Sequence, residues 1–326
     1  MNAINLINLA RSYWESKVLF VSVRLKIFTI LHTEDKSVSA IANILSLNPN
    51  SAKRFLDTLV SLKLLQKEGN FYKNTSFSNL YLVENKDSYL GNMVHHCESL
   101  WKCWEHLEES VKSGKPVAFK LFKNSSYKHR LKDYVYAMHD IGSVVADEIV
   151  SYLNISHYKN MLDLGGGSGA YSIILAKNNP NLKATIFELS DVLKHTKKFI
   201  QKAKTKNQIS TIPGNFLEDS FGKEEYDLIL ISNLIHIYDA TNNKEIINKT
   251  HRALAKKGKI VIHNLVLNNE TTPKEATLFD LNMLMGTVSG RVYTQKEVKN
   301  WLKEIGFRNI KSYTTTLKTK VIIGVK

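Results

Sequence analysis

The chain has 326 residues, enough for two domains or one large domain with an appendage. Hydrophobic residues at 43%, charged residues at 23% and only 5 Pro and 15 Gly exclude collagen-like and wholly disordered chains and allow a sizeable core. Forty-five Lys+Arg against 30 Asp+Glu leave a net charge of +15, but no block of five like charges occurs. The densest basic runs, Lys194–Lys204 and Lys249–Lys259, read as solvated surface rather than as a nucleic-acid or membrane patch.

Residues 4–32 predict one or two amphipathic helices, with Leu6, Leu9, Tyr13, Val18, Leu19, Val23, Leu25, Phe28 and Leu31 near a 3.6 period. The first residues lack a basic stretch followed by an apolar one, so no signal peptide is expected. Ser37 opens a short helix. Asn48-Pro49-Asn50-Ser51 forms a turn and caps a second helix that runs to Leu62, and Lys67-Glu68-Gly69-Asn70 is a hairpin turn. Helix, turn, helix, hairpin is a winged-helix pattern. Such domains often read DNA with the second helix, but residues 1–90 carry only 11 Lys+Arg against 7 Asp+Glu. Dimer packing is therefore the favoured role, with a DNA-binding regulator as the rival reading.

Residues 91–154 read as a helical segment. Trp101, Trp104, Tyr134, Tyr136 and Met138 there suit an ordinary core or the wall of a pocket for a flat apolar ligand. Cys97 and Cys103 fit neither a disulfide framework nor a CxxC pair, and a reducing cytoplasm is the default. His95, His96 and Cys97 are adjacent on a helix and cannot all face one metal, so no metal is expected. No run of about 18 apolar residues predicts a membrane span.

Beyond residue 155, short β-rich runs alternate with helical ones. Met161-Leu162-Asp163-Leu164 is an apolar strand leading into Gly165-Gly166-Gly167-Ser168-Gly169 and a helix from Ala170. Glycines here permit positive φ and close approach of backbone to a ligand. The turn alone also fits a nicotinamide-dinucleotide site. Asp163 shifts the balance, because a carboxylate repels phosphates and attracts a cationic amino-acid group such as that of S-adenosylmethionine (SAM). A second strand ends at Glu188, which is placed to accept hydrogen bonds from two ribose hydroxyls. A third, Ser210–Ile212, leads into Pro213-Gly214-Asn215-Phe216, where Asn215 and Phe216 are candidates for reading and stacking on adenine. Strands at Tyr226–Ile231 and Lys259–His263 flank a helix over 242–254, and Phe307–Tyr313 with Thr319–Val325 predict a closing hairpin. The sum is an α/β, doubly wound Rossmann-like sheet with an N-terminal all-α/winged-helix domain. The segments are 1–90, 91–154 and 155–326.

The ordered series LDLGGGSG, FELSDV, PGNF, SNLIH, HRAL, GKIVI and DLNMLMGTVSGRVYTQKEVKNWLKEIGF resembles the SAM-dependent O-methyltransferases of the caffeate / hydroxyneurosporene / acetylserotonin type along almost the whole chain. The resemblance implies a homodimer through the N-terminal domain and methyl transfer to a hydroxyl of a small aromatic molecule, yielding S-adenosylhomocysteine without a metal. It implies SAM contacts at Asp163, Gly165, Gly167, Glu188, Leu189, Gly214, Asn215, Phe216 and Ser232. It implies His236 as general base with Asn264 beside it, and an acceptor pocket drawing on Trp104, Met138, His139, Phe279, Asn282, Met283 and Met285.

Three departures stand out. The family's His-Asp-Trp reads His236-Ile237-Tyr238, and its two supporting Glu positions fall on Asn264 and Val292. Asn264 can still bond His236, whereas Val292 cannot. A His without a carboxylate is a weaker base. Three readings stay open: an acceptor more acidic than a phenol (or a thiol), catalysis mainly by proximity, or SAM binding without methyl transfer.

Overall fold

The computed structural model describes residues 2–123 and 127–326. They fall into two compact units, divided between Leu100 and Trp101.

The first unit opens with three helices, α1 (Ala3–Arg11), α2 (Tyr13–Arg24) and α3 (Ile27–Ile30). The sequence suggests one or two. The chain breaks at Ser12 and again at Lys26, which takes a left-handed conformation (φ 57°). Strand β1 (Lys36–Ser37) precedes α4 (Val38–Leu45), whose N-cap is Ser37, with its hydroxyl accepting from Ala40 N. Asn48 caps α5 (Pro49–Ser61), Pro49 being tolerated at the first helical position. Strands β2 (Leu65–Glu68) and β3 (Phe71–Asn74) form the hairpin, and β1 adds antiparallel to β3. Helix α6 (Ser76–Tyr81) follows. Ile27, Phe28, Ile41, Leu56, Leu59, Leu65 and Tyr72 make the core. Asp57 of α5 accepts from Lys53 of the same helix at 2.7 Å and from Lys67 of β2 at 2.6 Å, so one cation of the helix a DNA reader would use is tied to a carboxylate.

Helix α7 (Gly91–Trp104) runs across the unit boundary, and α8 (Leu107–Ser113), α9 (Ala118–Leu121) and the long α10 (Tyr127–Ser151) follow. The rest of the second unit alternates strictly at first: β4 (Asn160–Leu164), α11 (Ala170–Asn178), β5 (Lys183–Glu188), α12 (Ser190–Lys202), β6 (Ile209–Pro213), β7 (Tyr226–Ser232), α13 (Ala240–Ala253) and β8 (Leu254–Asn264). Helices α14 (Lys274–Gly286) and α15 (Gln295–Ile305) lead to β9 (Arg308–Thr314) and β10 (Lys320–Val325). The sheet order is β6-β5-β4-β7-β8-β10-β9; β4 to β8 pair in parallel and β10 pairs antiparallel with both β8 and β9. Strand β8 starts five residues before the sequence suggests. Lys256-Lys257-Gly258 reads as a turn, but it is absorbed as an irregularity in the β7–β8 register with Lys257 at φ 64°.

Both faces of the sheet are covered, as a parallel sheet requires. The period of two then decides which side chains meet. Leu228 and Leu230 pack on one face with Met161 and Val261; Ile229 and Ile231 pack on the other with Leu162, Leu164, Ile260 and Ile262. Asp163, Ser232 and His263 continue the first set, and Asn264 continues the second. The chain runs outward from β4 to β6 and returns as β7 on the opposite side of β4. The crevice beyond the ends of β4 and β7 is therefore the topological switch point. No helix among the described residues is long and apolar enough to cross a membrane.

Candidate active site

Asp163 ends β4 fully buried, and Ser172 of α11 donates to its Oδ2 at 2.6 Å. Its Oδ1 is buried with no hydrogen-bond partner among the described residues. Burial pushes its carboxyl up to about 6, with the Ser172 bonds opposing. The glycine turn packs directly on it: a Cβ at Gly166 would lie 2.7 Å from Asp163 Cγ. Gly165, Gly167 and Gly169 all adopt positive φ, and a Cβ on Gly167 would meet only the Gly165 carbonyl, at 4.0 Å. That leaves backbone open to a ligand.

Glu188 at the end of β5 faces the same turn. Gly167 N donates to Oε2 at 3.0 Å and Leu189 N to Oε1 at 2.8 Å, which leaves each oxygen a further lone pair. Burial, only partly offset by these two bonds, raises its carboxyl to about 7. Leu189 beside it is 46% exposed, an apolar side chain turned outward just after β5. Gly214 is required by Phe187, whose ring would meet a Cβ at 2.1 Å.

An orphaned buried carboxylate oxygen, an open glycine cradle and a carboxylate with two spare lone pairs fit SAM: an ammonium for the first, backbone approach for the second, a ribose diol for the third. The structure treats the two adenine candidates differently. Phe216 is buried in the core with Phe187 and Phe221, so its ring is a floor rather than an exposed stacking face. Asn215 turns its Oδ1 back to Leu217 N at 3.0 Å, shaping its own loop.

Ser232, last in β7, is bonded to His263 Nδ1 at 2.9 Å. His263 also meets Thr319 Oγ1 through Nε2 (2.7 Å) and the Tyr171 hydroxyl (3.3 Å). It is a buried hub that fixes Ser232 from three elements, a role its position in the sequence does not reveal. His139 on α10 is likewise engaged on the glycine turn. Its Nδ1 is 3.1 Å from Ser168 Oγ and its ring stacks on Phe199, centroids 3.9 Å apart.

His236 lies in the turn after β7, buried. Its Nδ1 is 3.1 Å from Asn264 Oδ1, while Asn264 Nδ2 donates to Leu265 O at 3.0 Å. The carbonyl of Leu265 can only accept, so the Asn264 amide must present its oxygen to the imidazole. Nδ1 therefore carries the proton and Nε2 the lone pair. Burial, with the Asn264 bond opposing, lowers the imidazole to about 4, so it is neutral at physiological pH. The ring meets Phe279 of α14 edge-on, centroids 4.9 Å apart. Val292 sits in the apolar cluster with Leu267, Ala276 and Phe279, its N–H donated to Asp280 Oδ1 at 2.6 Å. Asp239 is the N-cap of α13, accepting from Asn242 N.

Gly290 touches the backbone of the same turn: a Cβ would lie 2.3 Å from His236 O and 2.9 Å from Ile237 O. Neither carbonyl is free to swing aside. Gly290→Ala is expected to destabilise by about 1–3 kcal/mol and to lower kcat more than SAM affinity, read by thermal melting and calorimetry side by side.

The remaining acceptor candidates divide. Phe279 is at His236, and Met283, one turn on, is buried on α14. Asn282 and Met138 are half-buried. Trp104 packs with Cys103, Val117 and Met285 in a separate cluster. Tyr134, one of the aromatic residues that the sequence offers as core or pocket wall, lies four residues before Met138 on the same face of α10. Its side chain is 40% exposed, yet dense surroundings, and secondarily the Glu188 charge, push its hydroxyl up to about 12. No group of three His, Cys, Asp or Glu among the described residues is arranged to hold a metal ion.

A family model of the O-methyltransferase domain matches residues 104–308, and one of the O-methyltransferase dimerisation domain matches 7–84. The tetracenomycin polyketide synthesis 8-O-methyl transferase TcmO of Streptomyces glaucescens is 24% identical over 99% of this chain and 96% of its own length. Acetylserotonin O-methyltransferase of Gallus gallus is 27% identical over 95% and 94%. The 3-hydroxy-5-methyl-1-naphthoate 3-O-methyltransferase of Streptomyces sahachiroi is 26% identical over 98% and 94%. Among solved structures, human N-acetylserotonin methyltransferase in complex with SAM superposes with a TM-score of 0.87 at 24% identity, covering 100% of this chain and 99% of that one.

Proposed function

This chain belongs to the O-methyltransferase family, whose chemistry draws on SAM, and we propose that it methylates a hydroxyl of a small aromatic compound with His236 as the general base. The observation that carries the assignment of the base is the neutral, Nδ1-protonated imidazole of His236 at the switch point. When bound, SAM supplies a sulfonium methyl that is already electrophilic. His236 Nε2 accepts the hydroxyl proton as the O–CH3 bond forms and the S–CH3 bond breaks. Asn264 holds the tautomer and the ring plane. Phe279 sets one wall against the imidazole and excludes water from it. Asp163, the backbone of Gly165 and Gly167, Glu188, Leu189, Gly214 and Ser232 are assigned to SAM, and Met138, Asn282 and Met283 to the acceptor. His139 is assigned to the SAM side through Ser168. Much of the acceleration then comes from holding methyl and oxygen in line. The test is formation of S-adenosylhomocysteine over a panel of phenols, naphthols and hydroxylated amides, with His236→Ala as control.

We assign residues 1–90 to dimerisation, 91–154 to a helical acceptor-pocket segment and 155–326 to SAM binding, and we take the working form to be a homodimer in the cytoplasm. Helix α1 supports the first assignment: Leu6 and Leu9 share one face and Ile4 and Ile7 another, all about half exposed or more, apolar surface that water disfavours. Leu6→Asp/Leu9→Asp, three residues apart on the first of these faces, is expected to give a folded monomer in analytical ultracentrifugation where wild type sediments as a dimer.

A further inference from the structure

The surroundings of His236 restrict what it can deprotonate. On the Nδ1 side of the ring stands the neutral amide of Asn264, whose orientation is locked by Leu265 O. Phe279 meets the ring edge-on from α14. The 287–292 turn closes at Gly290 against the His236–Ile237 backbone, and its Val292 packs with Leu267, Ala276 and Phe279. The nearest carboxylate in sequence on α14, Asp280, is spent on Val292 N, and Asp239 is spent on the α13 N-terminus. Burial lowers the proton affinity of the ring, and the Asn264 bond opposes it. An imidazolium formed here would be held by one amide oxygen in apolar surroundings.

We propose that this enzyme is built for acceptors whose hydroxyl is markedly more acidic than that of a simple phenol, such as phenols bearing strongly electron-withdrawing groups, hydroxyquinones and vinylogous acids, and that Asn264 sets this preference. The proposal rests on the role of His236 as base. A base near 4 takes a proton from an ordinary phenol, at about 10, across a gap of roughly six units. For a hydroxyl near 7 the gap falls to about three, and the proton transfer ceases to dominate the barrier. Methyl transfer itself favours the more basic oxygen, but that bias is the same whatever stands at 264. A difference in slope between wild type and a 264 variant therefore isolates the base.

The experiment uses the full chain saturated with radiolabelled SAM and two nearly isosteric series, fluorinated phenols and fluorinated 2-naphthols. Wild type is expected to gain at least about tenfold in kcat/KM from the least to the most acidic member. Asn264→Glu, with Asn264→Asp as the smaller substitution should the first melt early, is expected to flatten or reverse that slope. Nitrogen-edited NMR of the imidazoles gives an independent reading: His236 stays a neutral Nδ1–H tautomer to below pH 5 in wild type and titrates at least a unit higher in the carboxylate variant. The proposal is overturned by a wild-type slope favouring the least acidic members, by equal slopes in wild type and variant, by no turnover of either series with SAM bound, or by a wild-type His236 titrating at 6.5 or above. A His236→Ala enzyme as fast as wild type on every member would instead remove the base assignment, an outcome distinct from all of these.

Discussion

Replacing His236 by Ala is expected to lower kcat/KM for methyl transfer by about 10²–10⁴-fold, the worth of a general base, and to leave SAM affinity unchanged. The split follows from the fold. His236 stands in the turn after β7 and touches Asn264 and Phe279, whereas the two carboxylates assigned to SAM, Asp163 and Glu188, stand at the ends of β4 and β5. A parallel loss of SAM binding would show that the imidazole braces the cofactor pocket instead. The pH profile separates the two further. A histidine at its ordinary 6.5 would begin to lose activity near neutrality. Held down to about 4 by burial, His236 keeps its lone pair, and with SAM saturating at every pH the acid limb of kcat/KM for the acceptor falls only below about pH 5. The same shift bears on stability. The folded value lies below the unfolded one, so the neutral buried ring contributes stability fully above pH 6.5 and progressively loses it as pH falls toward 4. His263, lowered to about 4 by burial, adds a second contribution of the same sign.

SAM affinity is expected to rise by at least about tenfold, and on the order of a hundredfold, between pH 5 and 7.5. Asp163 at about 6 and Glu188 at about 7 are both raised by burial, so at pH 5 both are largely protonated in the free protein. SAM carries a sulfonium and an ammonium, and both carboxylates must ionise to attract it fully. The sign of the stability effect is opposite to that of the histidines. Each folded carboxyl value exceeds its unfolded value, 3.8 or 4.5, so each acid withdraws stability as pH climbs from the unfolded value to the folded one. Bound SAM relieves that cost. The rise in melting temperature caused by saturating SAM should therefore grow with pH over this window. Asp163→Asn should flatten the calorimetric profile below pH 6 while leaving the Glu188 limb near 7; an unchanged profile in that variant would place the titration elsewhere.

The sheet was legible because its strands are nearly continuous apolar runs, and the β9–β10 hairpin because its two runs flank a polar turn. The glycine turn with Asp163 and Glu188 was legible because few uses exist for positive-φ backbone between a carboxylate-ended strand and a helix. What escaped depends on partners distant in sequence. The His263 hub draws on Tyr171, Ser232 and Thr319, and only the sheet register brings these together. Phe216 reads as an aromatic next to a binding turn, but its burial against Phe187 is set by Gly214 admitting that ring. Asn215 offers an amide that the sequence cannot show to be already used by its own loop. Asn264 was a residue of the right type at the right strand end, and its bond to His236 at 3.1 Å follows from the alternation along β8. The division of α2 from α3 was hidden because Lys26 carries no mark of its left-handed backbone.

The most direct test of this account is calorimetric titration of SAM into wild type and Glu188→Ala at pH 7.5. Glu188 is held to the glycine turn by Gly167 N and keeps lone pairs on both carboxylate oxygens for a diol. Each hydrogen bond to a charged group is worth about 1.5–3 kcal/mol, and the loss of two is expected to weaken SAM by at least about tenfold. Saturable binding to wild type with that loss in a folded variant is the expected result. Equal affinity in both proteins, or no binding to folded wild type, would contradict the site as described.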